Sequence, residues 1–108
     1  MDSALEIQVQ DDDTSRRVHL RGEIDLATAH QLRDALVQHA KSSLALDLSD
    51  VSFLDSSGIG VILSARERVV AEGRAFTIDD ASESVRQVLA YSGLSWLLIE
   101  PADSSPPA

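Results

Sequence analysis

The stretch from Leu44 to Leu63 constrains the fold most, because its apolar residues change period halfway along. Leu44, Leu46 and Leu48 alternate with Ala45 and Asp47, as in a strand that buries one face. From Ile59 onward the apolar residues Ile62, Leu63, Ala65, Val69 and Val70 recur at helical spacing, which predicts a helix over 57–72 with Gly73 as its left-handed stop. Between the two lies Asp55-Ser56-Ser57-Gly58-Ile59-Gly60. A strand running through hydroxyls and glycines into a helix is half of a crossover unit, so another parallel strand should follow and the Leu44 strand should be central. A serine at such a junction is lifted out of the core. The unpaired N–H groups of the new helix point at it, so an anion there is expected to be accommodated. Each part of the motif also has a plainer reading: Asp55 or Ser56 as a cap, Gly58 relaxing the first turn, Gly60 allowing close packing on the sheet.

The flanking segments complete an α/β pattern. Leu5, Ile7 and Val9 alternate with polar residues, as do Val18 and Leu20, and Asp11-Asp12-Asp13-Thr14-Ser15 forms the turn of an opening hairpin. The three aspartates lack the alternating ligand positions and the glycine of a calcium loop, so they read as a solvated turn. The first helix is expected to begin at Thr28, capped by its hydroxyl with Gln31 closing a capping box, which would free Asp25 from capping. Ala29, Leu32, Leu36 and Ala40 then face the sheet, with Arg33, Asp34 and Gln38 toward water. A short strand over 75–78 follows the second helix. A third helix from Ser82 carries Val85, Val88 and Leu89 and stops at Gly93, with Leu94 packing back on Leu89. The segment 96–99 fits either a last strand or a helical turn, and the Ser/Pro-rich 101–108 reads as an unstructured tail after one domain over 1–100.

Composition removes several classes of function. The chain has 108 residues, enough for one core. It has no cysteine, which excludes thiolate nucleophiles, cysteine-held metals and disulfides, and fits a reducing compartment. A net charge of -9 repels nucleic-acid backbones and anionic lipid, so direct nucleic-acid binding is not expected, and no apolar run approaches the length of a bilayer span, so neither is membrane insertion. The N-terminus lacks a basic region followed by an apolar run, and cytoplasmic residence is the expectation. A hydrolase nucleophile elbow needs glycines two residues before and after its serine, but Ser56 stands between Leu54 and Gly58 and Ser57 between Asp55 and Ile59, and Lys41 follows Ala40 rather than the glycine of a phosphate-binding loop. His19, His30 and His39 have no metal-ligand spacing, so surface roles are expected and no catalytic, metal or cofactor site is assigned.

Four segments in order resemble the STAS domain, and specifically the small free-standing anti-sigma factor antagonists of bacteria. They are Gly22-Glu23-Ile24-Asp25-Leu26-Ala27-Thr28-Ala29, the strand from Leu44 to Leu48 with its trailing Asp50, Asp55-Ser56-Ser57-Gly58-Ile59-Gly60, and Val85-Arg86-Gln87-Val88-Leu89-Ala90-Tyr91-Ser92-Gly93-Leu94. The resemblance implies a single STAS-like domain with a mixed sheet opened by an N-terminal hairpin and packed by α-helices. It implies that Ser56 is phosphorylated by an anti-sigma factor that is also a serine kinase, and dephosphorylated by a metal-dependent phosphatase. Unphosphorylated, the chain would bind that kinase and so release a sigma factor. Asp25, Asp55, Ser57, Gly58, Ile59 and Gly60 are then the expected partner-binding residues, with Glu23 a weaker member, and a local backbone acceptor is an equal reading of Asp25. On this reading the two glycines give a partner's backbone access, and Gly58→Val is expected to impair binding more than folding. A STAS interaction subunit of a sensory or transport assembly, and a nucleotide-binding STAS domain, are the alternative functions.

Overall fold

A computed structural model describes residues 4–98; Ile99, Pro101 and the rest of the 101–108 segment lie outside the described residues. Strands β1 (Leu5–Asp12) and β2 (Ser15–Ile24) form the expected antiparallel hairpin, with Asp12 opposite Ser15 at its turn. Helix α1 (Ala29–Gln38) returns the chain to β3 (Ser43–Leu54), and α2 (Ser56–Ala71) returns it to β4 (Phe76–Ala81). Both crossovers give parallel neighbours, and the sheet order is β1-β2-β3-β4 with β3 internal, as its leucines required. Two successive crossovers in one direction, each right-handed by the general rule for such units, place α1 and α2 on the same face of the sheet, where they pack against each other. Helix α3 (Glu83–Tyr91) and a 3-10 turn (Ser95–Leu97) complete the described chain.

The core lies under these helices. Val18 and Leu20 of β2, Leu44, Leu46 and Leu48 of β3, and Phe76 and Ile78 of β4 pack there with Leu32 and Leu36 of α1, Ile62 and Val69 of α2, and Val85 and Leu89 of α3. Residues of opposite parity point the other way. Gln8, Gln10, Arg17, His19 and Asp47 line an open polar depression, with His19 Nε2 2.7 Å from Asp50 Oδ2. The sheet is therefore half-covered, which is why its strands alternate rather than reading as continuous apolar runs.

Several boundaries differ from the sequence reading. β3 continues six residues past Leu48, because Val51 and Leu54 still turn inward while Ser49 and Ser52 fall at register shifts in its pairing with β2. β4 likewise runs on to Ala81. Val70, read as part of the buried face of α2, is 43% exposed, since it follows Val69 and only Val69 points at the sheet. Gly73 and Gly93 stop α2 and α3 at φ 77° and 71°, in the left-handed region that favours glycine, and Leu94 N–H bonds back to the Leu89 carbonyl at 2.7 Å. Both readings of 96–99 hold in part: Trp96 lies in the 3-10 turn, and Leu98 makes a parallel bridge to Ile78.

Candidate functional site

The carboxyl ends of β2 and β3 are in register, Ile24 beside Leu54, and the Asp55 N–H donates to the Ile24 carbonyl at 3.2 Å. Asp25 and Asp55 therefore leave adjacent strands, about 4.8 Å apart, side by side. Each closes the turn that follows it. Asp55 is the N-cap of α2, and its Oδ1 accepts from Ser57 N–H at 2.9 Å and Gly58 N–H at 3.3 Å. Asp25 Oδ1 accepts from Ala27 N–H at 2.9 Å and Thr28 N–H at 3.1 Å.

This arrangement corrects two expectations. Thr28 and Gln31 do not form a capping box, and Asp25 is the local backbone acceptor of its alternative reading, bonding the amides of Ala27 and Thr28 ahead of α1. Thr28 has helix-like φ and ψ and is buried; its hydroxyl accepts from Asp25 N–H at 3.0 Å and donates to the Glu23 carbonyl at 2.8 Å, while Gln31 Nε2 donates to the Leu5 carbonyl. The hydroxyl thus ties the loop to itself, and the Asp25 carboxylate holds the amides of Ala27 and Thr28. Nor are the first-turn amides of α2 all free for an anion, because Asp55 already holds two of them. An added phosphate would meet a carboxylate there.

The motif serine stands outward. Ser56 is exposed as the first residue of α2, and Ser57 and Ile59 are half-buried, Ile59 against the core. The two glycines face opposite ways. Gly58 is buried, and a Cβ there would lie 2.4 Å from Ile24 Cγ2 and 2.6 Å from Leu54 Cδ1, so it is a packing glycine and the access role expected for it fails. Gly60 is exposed with nothing within 4 Å of such a Cβ, so packing on the sheet does not explain it. It costs roughly 0.8–1.0 kcal/mol of helix propensity relative to alanine and leaves bare backbone one turn from Ser56.

Two apolar residues at this end were missed by the sequence reading. Leu26, next to Asp25, is 80% exposed, and Phe53, two residues before Asp55 and paired in register with Glu23, is 47% exposed. The signal was present for Leu26, since an apolar residue between Asp25 and the first helix falls outside both periodic runs. Ser56 is thus flanked in sequence and register by two carboxylates and two exposed apolar side chains. That surface can bury itself against a protein and presents a serine hydroxyl to it. Among the described residues no cluster of three or more His, Asp or Glu side chains is placed to hold a metal ion, and no helix is long and apolar enough to cross a membrane.

Comparison with known proteins places this geometry in a family. Residues 7–100 match the family described as Mlab, STAS domain. The anti-sigma-B factor antagonist of Bacillus subtilis (strain 168) is 30% identical over 92 residues, 83% of this chain and 84% of that protein. A crystal structure of an anti-sigma factor antagonist from Mycobacterium paratuberculosis superposes with a TM-score of 0.77 at 27% identity, covering 87% of this chain and 82% of the other. The Bacillus cell fate determinant SpoIIAA in its phosphorylated form has the same fold, with a TM-score of 0.70 at 22% identity over 87% of this chain and 89% of that one. With its hairpin-opened mixed sheet, its three helices and the Asp55-Ser56 junction, this chain belongs to the STAS-domain family of anti-sigma factor antagonists.

Proposed function

We propose that the domain, spanning residues 1–100 ahead of a short tail, acts by partner switching in the cytoplasm. Unphosphorylated, it docks on an anti-sigma factor with serine kinase activity and so frees a sigma factor. Phosphorylation of Ser56 by that kinase ends the complex, and a metal-dependent phosphatase restores it. The nucleotide belongs to the kinase, so the domain itself needs no cofactor and performs no catalysis.

The observation that carries this reading is the exposure of Ser56 directly after a capping aspartate, at a strand end where Asp25, Leu26, Phe53 and Gly60 also reach the surface. A buried or capping serine would be a poor phosphoacceptor, and here Asp55 does the capping. A phosphoryl group adds about -1.5 to -2 charges. Beside Asp55, and against a partner that has desolvated this end, that charge lowers affinity about tenfold for each ~1.4 kcal/mol of repulsion and lost packing. Reconstitution with the cognate anti-sigma kinase and ATP, followed by peptide mass spectrometry and a binding measurement, tests it. The expected result is one phosphate, on Ser56, with loss of the complex. A chain that binds the kinase equally well with and without that phosphate is not a switch.

A further inference from the structure

Away from the Ser56 end, α1 and α2 enclose a groove of about 180 Å³ whose floor is apolar and whose rim is basic. Val37 and Ala40 of α1 and Val61 and Ala65 of α2 line it, with Arg33 and Arg68 at its edges. Val37 is 47% exposed although it faces the groove, and both arginines stand in solvent. Arg33 pairs with Asp34 at 3.5 Å, but the two are sequence neighbours whose side chains are 63% and 71% exposed, a contact worth little. Two cations thus border an apolar slot on a protein that carries 18 acidic against 9 basic side chains.

We propose that this groove is a second docking surface, and that it takes an acidic amphipathic helix presented by a partner protein. A cavity of roughly 150 Å³ accepts a benzene-sized group, so the slot has room for one Leu or Phe anchor. Carboxylates a turn to either side of that anchor, at helical i±3 and i±4 spacing, would sit over the guanidinium groups. The chemistry favours a peptide over a nucleotide. The six named residues include no aromatic ring on which a base could stack, and the groove runs beside the middle and later turns of both helices, away from the amides that bind phosphate at a helix start. Along α2 it extends from Val61 to Arg68, about 8 to 18 Å from Ser56 at 1.5 Å per residue, so engagement requires neither the phosphoacceptor nor its phosphate.

The test uses the full chain, labelled at its Val and Ala methyl groups, and three stapled helical 12-residue peptides. The first has a central Leu with Glu at i−3 and i+4, the second has Lys in place of both Glu, and the third has Ala in place of Leu. The Glu peptide should shift the Val37, Ala40, Val61 and Ala65 methyl signals and bind at least tenfold tighter than either of the others. Arg33→Glu together with Arg68→Glu, both on exposed positions, should leave the melting temperature nearly unchanged and reverse the preference between the Glu and Lys peptides. Ser56→Ala should bind the Glu peptide as the wild type does, which separates this surface from the switch. Equal binding of the Glu and Lys peptides, shifts confined to the open sheet face or the Ser56 end, or no shift at all would overturn the proposal. A dimer in sedimentation that the arginine reversals dissolve would give the groove to a second copy of the chain and overturn it likewise.

Discussion

Gly58 and Gly60 are two residues apart, yet alanine at the two positions should have opposite effects on stability. At Gly58 the new Cβ would stand 2.4 Å from Ile24 Cγ2 and 2.6 Å from Leu54 Cδ1. Carbon atoms pack at about 3.5–4.0 Å, so more than about 1 Å of overlap must be relieved. Both neighbours are buried branched side chains, at most 2% exposed, with little room to turn aside. Overpacking of this kind typically costs about 1–3 kcal/mol, and the gain of alanine over glycine in a helix returns at most about 1 kcal/mol, less in a first turn. The net expectation is a loss of about 1–2 kcal/mol, or roughly 4–16 °C in melting temperature for a domain of this size. Gly58→Val should lose more.

At Gly60 a Cβ meets nothing, so Gly60→Ala should gain up to about 1 kcal/mol from propensity and from a less flexible unfolded chain. If that face docks on the kinase, the same variant should bind more weakly despite being more stable. Urea unfolding of both variants, with the slope checked against wild type, reads the stability, and titration with the unphosphorylated partner reads the binding. A Gly58→Ala protein as stable as the wild type would refute the packing account and return Gly58 to the role of an access glycine.

Other variants separate cap, acceptor and surface charge. Ser56→Ala should abolish phosphorylation and leave partner binding largely intact, whereas Ser57→Ala should still be phosphorylated; peptide mapping that finds the phosphate on Ser57 alone would move the acceptor. Asp55→Asn should keep the cap and stay within about 1 kcal/mol of wild type in urea, while Asp55→Ala loses about 0.5–2 kcal/mol, and equal stability of the two would show that the bonds to Ser57 and Gly58 contribute nothing. On the open sheet face, burial raises the pKa of Asp47 but is outweighed by hydrogen bonds from the Ser49 side chain and backbone, with His19 and Arg17 adding, so the carboxyl titrates below its ordinary 3.8. Its ionised form therefore stabilises the fold fully above that value, and the contribution disappears as pH falls through the lower folded value. The stability difference between wild type and Asp47→Asn should shrink below about pH 4, and a difference that grows as pH falls through that range would contradict this.

The strand-to-helix junction was legible because two periodicities meet there and the residues between them are those that favour turns and helix caps. The order of the elements followed from the same periods, and the parallel pairing from the crossover rule. What escaped was information held in three dimensions. Thr28 followed by Gln31 has the letters of a capping box, but the Thr28 hydroxyl is drawn to the Glu23 carbonyl, and local pattern cannot register a competitor five residues away. The end of β3 was hidden because its later residues Ser49, Asp50 and Ser52 are polar, and Ser49 and Ser52 fall at register shifts in the pairing with β2, which breaks the alternation. Gly58 and Gly60 look alike in sequence, although two residues turn a helix through about 200° and so set them on opposite faces. Helical phase could have told them apart, since Gly58 lies one turn before Ile62 on the buried stripe.

The same cap decides where a phosphate on Ser56 can act. With Asp55 Oδ1 holding the Ser57 and Gly58 amides, a dianion on Ser56 has no vacant nest inside the domain, and the carboxylates of Asp55 and Asp25 stand at the same edge. Ser56 is exposed, however, so the phosphate can remain in water, where like-charge repulsion is weakened by the solvent's dielectric and by salt. The positive end of α2 offsets part of what is left. Phosphorylation should therefore change the stability of the isolated domain by less than about 1 kcal/mol and act where a partner strips that water away. Ser56→Asp should imitate it only in part, having less charge and a planar head. Amide chemical shifts of the two forms decide the matter. Changes confined to the ends of β2 and β3 and the first turn of α2 would place the effect at the contact surface. Shifts spread across all four strands would instead mean that phosphorylation drives a conformational change, which this cap geometry gives no reason to expect.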